Sequence, residues 1–123
     1  MLLVKSVGEL NVCGLVYRVF VASVDESSDL SAEEDGVCVA SSGQILVRAS
    51  LSPSRKRDTL VHEIAHAFLE ASGIREFMRT RVKGDYDAFE EAFIRLLVPS
   101  FLRFVDDNAK ELVRLVRKGK WTR

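Results

Sequence analysis

The chain has 123 residues, of which 47% are hydrophobic and 29% are charged, a composition that is typical of a globular protein and excludes the disordered, fibrous and membrane classes. Its 18 basic and 18 acidic residues give no net charge, so bulk electrostatics do not favour nucleic acid or an acidic membrane surface as a partner. A chain of this length fits one domain, and we expect that domain to span residues 1–123.

No segment of the sequence has the pattern of a targeting signal or a membrane span. Residues 1–5 lack a basic region followed by a signal-peptide core, and no run reaches the roughly 18 apolar residues of a transmembrane helix. We therefore expect a cytoplasmic protein without a membrane partner. Cys13 and Cys38 lie far apart in strand-like segments, which fits neither a disulfide framework nor a CxxC metal site, so two buried thiols are predicted.

The first half of the chain predicts short strands. Residues 16–22 are rich in Val, Phe and Tyr and predict a buried strand, and Gly14 can turn a preceding short strand into it. Residues 25–36 are acidic and polar without an apolar period, which predicts a solvated loop. Two apolar runs at 37–40 and 44–48, separated by Ser-Ser-Gly, predict a hairpin.

A long helix is predicted next, at residues 53–72. Ser52 is a favourable N-cap, Pro53 suits the first helical position, and Gly73 can end the helix. The segment 74–84 is compatible with either a short helix or a loop.

Two further helices are predicted in the last third of the chain. Asp85 can cap a long amphipathic helix from about residue 86 to 105, within which Pro99 is expected to cause a kink or a local break. Asp107 or Asn108 can cap a last helix that Gly119 ends.

The motif His62-Glu63-Ile64-Ala65-His66 lies in the middle of the first predicted helix. Histidines at i and i+4 share a helix face, with Cβ atoms about 5–6 Å apart, so both imidazoles can bind one cation. Zinc favours imidazole nitrogen, and Glu63 is placed to act as the general base for a water whose pKa the metal lowers toward about 7. A chance match is disfavoured because the chain has no other histidine and the helix around the pair is apolar.

A catalytic zinc site needs a third protein ligand, and here it must be a carboxylate because no further histidine or cysteine pair exists. On a helical wheel, the apolar stripe of the second long helix consists of Phe89, Phe93, Leu97 and Phe104. Glu90 falls inside this stripe and Glu91 falls at its margin, so we predict Glu90 as the third ligand, ahead of Glu91 and Asp87. Two alternatives stay open: a rotation or a kink at Pro99 brings Glu91 inward, or both glutamates border a solvated face.

Tyr86 is a second candidate catalytic residue beside Glu63. It lies one turn before Glu90 on the same face, where its hydroxyl could hydrogen-bond the oxyanion of a tetrahedral intermediate. The alternative is a core aromatic residue whose hydroxyl is hydrogen-bonded within the fold.

The sequence resembles the compact HExxH zinc peptidases, including the small ones typical of phages and prophages, with the ImmA/IrrE metallopeptidases as broader relatives. The resemblance covers about two thirds of the chain and rests on three segments. They are residues 36–48, the motif with its flanks at 59–67, and the looser segment 90–113. The glutamate-rich motif of ImmA/IrrE proteins aligns here only with a gap, so their repressor-cleaving role is not carried over.

This resemblance implies an α+β, zincin-like fold in which a short β-sheet packs on the active-site helix and further helices follow. It also implies Zn²⁺ as cofactor, a gluzincin-like site with Glu90 or Glu91 as third ligand, and a protein or peptide substrate aligned along an edge strand near residues 44–49. Two other functions are compatible with the motif: a metal-binding regulatory module with little catalysis, and a non-peptide amide hydrolase. The retained Glu63 favours the peptidase.

Overall fold

The computed structural model describes residues 6–27 and 29–122. Its elements follow the apolar runs and helix caps of the sequence. The strands are β1 (Ser6–Val12), β2 (Leu15–Ala22), β3 (Gly36–Val39) and β4 (Gln44–Arg48). The helices are α1 (Pro53–Ala71), α2 (Ile74–Arg79) and α3 (Tyr86–Leu112), which a π-helical turn (Val113–Arg117) extends. Short 3-10 turns lie at Val24–Glu26 and Ala40–Ser42.

The four strands form one sheet in the order β1-β2-β4-β3. β1 and β2 are antiparallel and joined by the two-residue turn Cys13-Gly14, in which both residues have positive φ (51° and 87°). This is the geometry that two-residue hairpins favour. β2 and β4 pair in parallel, and β3 pairs antiparallel with β4, so β1 and β3 are the edge strands.

α1 packs against the sheet and forms the main core with residues of β1, β2 and β4. The buried residues of this core are Val12, Tyr17, Val19, Ile45, Val47 and Ala67. Ile45 and Ala67 are fully buried, so the middle of α1 is held close to β4. The motif on α1 is therefore fixed relative to the sheet.

α3 packs on α1 through a second cluster, formed by Leu69, Ile94 and Val98. The buried line of α3 runs in steps of four residues through Tyr86, Glu90, Ile94 and Val98. The Phe-rich stripe that was predicted to face α1 is exposed to solvent instead, by 39% at Phe89 and Phe93 and by 53% at Phe104. The smaller Ile94 and Val98 fit closely under α1, which has Ala65 at this contact.

The α+β prediction is confirmed, as are most element positions. The hairpin of residues 37–40 and 44–48, the strand at 16–22 and the helix at 53–72 all form. Ser52 caps α1 by accepting a hydrogen bond from the backbone N–H of Arg55. The ambiguous segment after Gly73 contains the helix α2.

Two local predictions were wrong, and a third holds only in part. Cys13 is exposed, because it occupies the β1–β2 turn and not a strand interior, and Cys38 is only partly buried. The acidic loop is not fully solvated, since Leu30 is 2% exposed. Asn108 does not cap a new helix: α3 continues to Leu112, and the Asn108 side chain donates to the carbonyl of Phe104 one turn earlier.

The helix also continues through Pro99. Proline removes one backbone hydrogen bond, which the flanking helical turns of this 27-residue helix outweigh. None of the helices in the described ranges is both long enough and apolar enough to span a bilayer.

The predicted edge strand near residues 44–49 was also misplaced. β4 is a central strand, because β3 pairs with one side of it and β2 with the other. The free edge next to α1 belongs to β3.

Candidate metal centre

His62 and His66 lie on the face of α1 that turns toward α3. Their ring centroids are 5.1 Å apart, and their side chains are 19% and 18% exposed. Burial is the main cause that lowers the pKa of His62, although the carboxylate of Glu91 acts in the opposite direction. The neutral imidazole that a metal requires is thus favoured at this position.

Glu91 of α3 completes a group of three ligand atoms with these histidines. Its Oε1 lies 2.8 Å from Nε2 of His62 and its Oε2 lies 2.9 Å from Nε2 of His66. One ligand atom from each residue falls within 4.8 Å of the others. Two imidazole nitrogens and one carboxylate oxygen are the donors of a catalytic zinc site, so the residues fit this metal.

Glu90 faces the other side of His66. Its Oε2 accepts a 2.6 Å hydrogen bond from Nδ1–H of His66, and the residue is only 4% exposed. A carboxylate that accepts from Nδ1–H fixes the tautomer whose Nε2 lone pair is free for a metal. Glu90 thus has the position of an orienting partner, whereas Glu91 has that of a ligand.

Arg75 neutralises Glu90. Its guanidinium donates two hydrogen bonds to the carboxylate, Nε to Oε1 at 2.8 Å and Nη2 to Oε2 at 2.7 Å, and a third to the backbone carbonyl of His66 at 3.1 Å. Burial opposes the charge of Glu90, but hydrogen bonds from Arg75, His66 and Tyr86 lower its pKa to about 2. Glu90 is therefore a carboxylate throughout the neutral range.

Tyr86 also binds Glu90. Its hydroxyl donates to Oε1 at 2.8 Å, and the residue is 7% exposed. Burial and the hydrogen bond to Glu90 raise the pKa of Tyr86 to about 12. The hydroxyl is thus engaged within the fold on the side of His66 away from the ligand group, and Tyr86 does not line the cleft described below.

Glu63 is buried between α1 and β3, with 7% exposure. Burial raises the pKa of its carboxyl to about 7, and His66 and the backbone of Cys38 offset part of this rise. Gly36 of β3 makes the close approach possible: a Cβ there would lie 3.3 Å from Cγ of Glu63 and 2.6 Å from Cγ2 of Thr59. A carboxyl with this pKa can both accept and release a proton near neutral pH.

The ligand group opens into a cleft of about 960 Å³. β3 and the acidic loop line one side of it, and α1 and α3 line the other. A second cavity of about 470 Å³ runs between α1 and α3 and shares Asp58, His62 and Arg95 with the first. The two cavities therefore adjoin beside His62.

The structure brings together most of the residues that the sequence singled out, but Tyr86 lies outside the cleft and Asp87 is exposed near Arg79. His62, Glu63 and His66 meet Glu90 and Glu91 as expected for adjacent helices, and the geometry favours Glu91 for the ligand position. Glu90 as third ligand and Tyr86 as catalytic residue stay predictions. Arg75 was missed because segment 74–84 had no clear pattern, although a buried Glu90 requires a cationic partner.

Among known families, the profile of the IrrE N-terminal-like domain, Peptidase_M78, matches residues 19–101. The matched region begins in β2 and ends in α3, so it includes the whole ligand group. No curated protein and no solved structure matches the chain significantly.

Proposed function

Because the chain belongs to the IrrE N-terminal-like Peptidase_M78 family, whose members are metallopeptidases that act on proteins or peptides, we propose that it is a zinc-dependent peptidase. His62, His66 and Glu91 hold the metal in this proposal, Glu63 is the general base, and Glu90 orients His66.

The contacts of Glu91 carry this proposal. Its two oxygens lie 2.8 and 2.9 Å from the Nε2 atoms of His62 and His66, distances that require a proton or a cation between each pair of atoms. The Nδ1–H of His66 is already donated to Glu90. A single divalent cation satisfies both Nε2 atoms and the carboxylate at once, whereas hydrogen bonds alone would need an N–H on both ring nitrogens of His66.

When bound, zinc supplies Lewis acidity, which polarises a scissile carbonyl and makes water a stronger acid. The carboxylate of Glu63 accepts the proton of the attacking water and passes it to the amide nitrogen that leaves, so the base is regenerated in each cycle. Glu90 and Arg75 keep the ring of His66 in place, because the carboxylate binds Nδ1–H and the guanidinium binds the carboxylate.

The substrate is an extended peptide that pairs with the outer edge of β3. This edge strand lines the cleft with Gly36, Val37 and Cys38, and its other side is taken by β4. Strand addition would place the peptide backbone alongside Glu63, whose carboxylate interacts with the backbone of Cys38. The adjoining cavity between α1 and α3 would accept residues on the other side of the cleaved bond.

Metal analysis combined with a cleavage assay tests the proposal. The purified protein should hold about one zinc ion per chain, and His62→Ala together with His66→Ala should remove it. Glu63→Gln should keep the metal and lose peptide hydrolysis by several orders of magnitude, because the change is nearly isosteric and removes only the base. Metal retained by the double histidine variant, or wild-type cleavage by the Gln variant, would contradict the assignment.

The same assay separates the alternative functions. A protein that binds zinc through these residues but cleaves no member of a broad peptide library is a metal-binding regulatory module. Cleavage of small non-peptide amides alone would identify an amide hydrolase. Glu63 beside the ligand group favours the peptidase, since a regulatory metal site has no use for a buried base.

A further inference from the structure

The outward face of α3 carries an apolar stripe that no other described part of the chain covers. Its members are Phe89, Phe93, Leu96, Leu97, Phe101 and Phe104, which are between 39% and 79% exposed. The rings of Phe89 and Phe93 stack with their centroids 6.1 Å apart. We propose that this stripe is a dimer interface, in which α3 pairs antiparallel with α3 of a second copy of the chain.

The area of the stripe fits a second copy. With about 150–250 Å² for a large apolar side chain, the exposed fractions correspond to about 600 Å² of apolar surface. A standard interface takes about 800 Å² from each partner, of which about 60% is apolar. The stripe therefore supplies the apolar part of such an interface, and its area reaches the upper end of the range of about 300–600 Å² for the largest apolar patch of a typical monomer.

The spacing of the stripe also favours pairing with itself. Phe93, Leu97, Ser100 and Phe104 follow each other at intervals of four, three and four residues, which is the spacing of a two-helix seam. The seam is symmetric about the bond between Val98 and Pro99. In an antiparallel pair with its twofold axis there, Phe93 of one copy meets Phe104 of the other, and Leu97 meets Ser100.

This seam lies away from the proposed metal centre. Glu91 is about 150° around α3 from the middle of the seam, and the stripe shares no residue with the cleft. Both sites of the dimer would stay open, so the inference is independent of the proposed activity.

Sedimentation analysis tests the interface with two matched variants. Phe104 in the stripe and Phe77 on α2 are 53% and 58% exposed, so glutamate at either position should leave the fold intact. The wild type and Phe77→Glu should be dimers at about 50 µM, while Phe104→Glu should raise the dimer Kd at least about 100-fold. Circular dichroism checks that each variant is folded.

A distance measurement tests the orientation. Spin labels at Lys110→Cys, in a background with Cys13→Ser and Cys38→Ala, should be about 35 Å apart along the helices of an antiparallel dimer and about 10 Å apart in a parallel one. A wild type that stays monomeric at about 1 mM, a Phe104→Glu variant that dimerises normally, or a short label distance would each overturn the proposal.

Discussion

Two adjacent glutamates on α3 have different contacts because successive helical residues point about 100° apart. Glu91 projects toward His62 and His66, whereas Glu90 projects toward Arg75 and the far side of His66. The carboxylate of Glu91 thus faces the two imidazoles and Nε of Arg95, whereas the carboxylate of Glu90 accepts hydrogen bonds from Arg75, His66 and Tyr86. Which glutamate faces the histidines depends on how α3 is rotated about its own axis. The burial of Ile94 and Val98 against α1 fixes that rotation.

The roles proposed for Glu91, as a ligand, and for Glu90, as the partner that orients His66, predict different losses of metal affinity. Glu91→Gln should weaken zinc binding more than 100-fold, because it alters one of three protein ligands, whereas Glu90→Gln should weaken it about 10–100-fold through the orientation of His66. Competition with a chromophoric chelator measures both affinities. The spectrum of the cobalt-substituted protein should change strongly only for Glu91→Gln. Weaker binding in the Glu90 variant alone would instead support the sequence-based choice of ligand.

At the scale of elements, the strand, turn and helix-cap patterns of the sequence predicted most of the fold. They did not predict which side of α3 packs against α1. α3 has two apolar faces, and the larger one is exposed. A helical wheel ranks the faces of a helix by hydrophobicity alone. In the structure, Leu69 and Ala65 of α1 pack against the smaller side chains of Ile94 and Val98. The third ligand was ambiguous for the same reason, since its identity depends on this rotation.

The approach of β3 to α1 depends on Gly36, whose replacement gives an element-scale prediction. In Gly36→Ala the new Cβ would meet Thr59 Cγ2 at 2.6 Å and the carbonyl oxygen of Leu46 at 2.8 Å. We expect a loss of about 2 kcal/mol in the free energy of unfolding, and slower hydrolysis because Glu63 is displaced. Urea unfolding and the peptide assay measure the two effects.

Gly8 provides the matched control, because a Cβ there has no atom within 4 Å. Gly8→Ala should leave both stability and hydrolysis close to wild type. Thr59→Ser removes the closest obstructing methyl group, so it should restore part of the stability in the Gly36→Ala background. If Gly36→Ala is as stable and active as Gly8→Ala, close packing of β3 does not position Glu63.

Arg75 joins α2 to α1 and α3 through its hydrogen bonds to Glu90 and the carbonyl of His66. Arg75→Met should cost about 3 kcal/mol of unfolding free energy in the metal-free protein, because it leaves the buried Glu90 carboxylate without its cation. Chemical denaturation after chelation measures this. Arg79→Met, on the same helix but half-exposed, should cost less than about 1 kcal/mol.

A second substitution separates the charge effect from packing. Adding Glu90→Leu to Arg75→Met removes the unpaired carboxylate and should recover much of the lost stability. A double variant no more stable than Arg75→Met would mean that the arginine contributes mainly through packing of its side chain.

At the scale of the whole molecule, the site that carries the proposed chemistry works against the stability of the metal-free fold. The buried Glu63 carboxyl has a pKa of about 7 in the fold, compared with 4.5 as its ordinary value. Burial disfavours the charged form, so the folded state holds this proton to higher pH than the unfolded state does. Such a trade between function and stability is common at active sites.

The sign of this linkage gives a prediction for the pH dependence of folding. The favourable contribution of protonated Glu63 is complete below about pH 4.5, and it is lost as the pH rises toward about 7, because the unfolded chain ionises first. In the chelated protein at pH 8, the free energy of unfolding of Glu63→Gln should therefore be about 3 kcal/mol higher than that of wild type, since each unit of the pKa difference contributes about 1.4 kcal/mol. The two proteins should converge near pH 4, where neither side chain is charged, which provides an internal control. Urea titrations between pH 4 and 8 measure the difference. A constant gap across this range would show that the carboxyl is not held protonated by its surroundings.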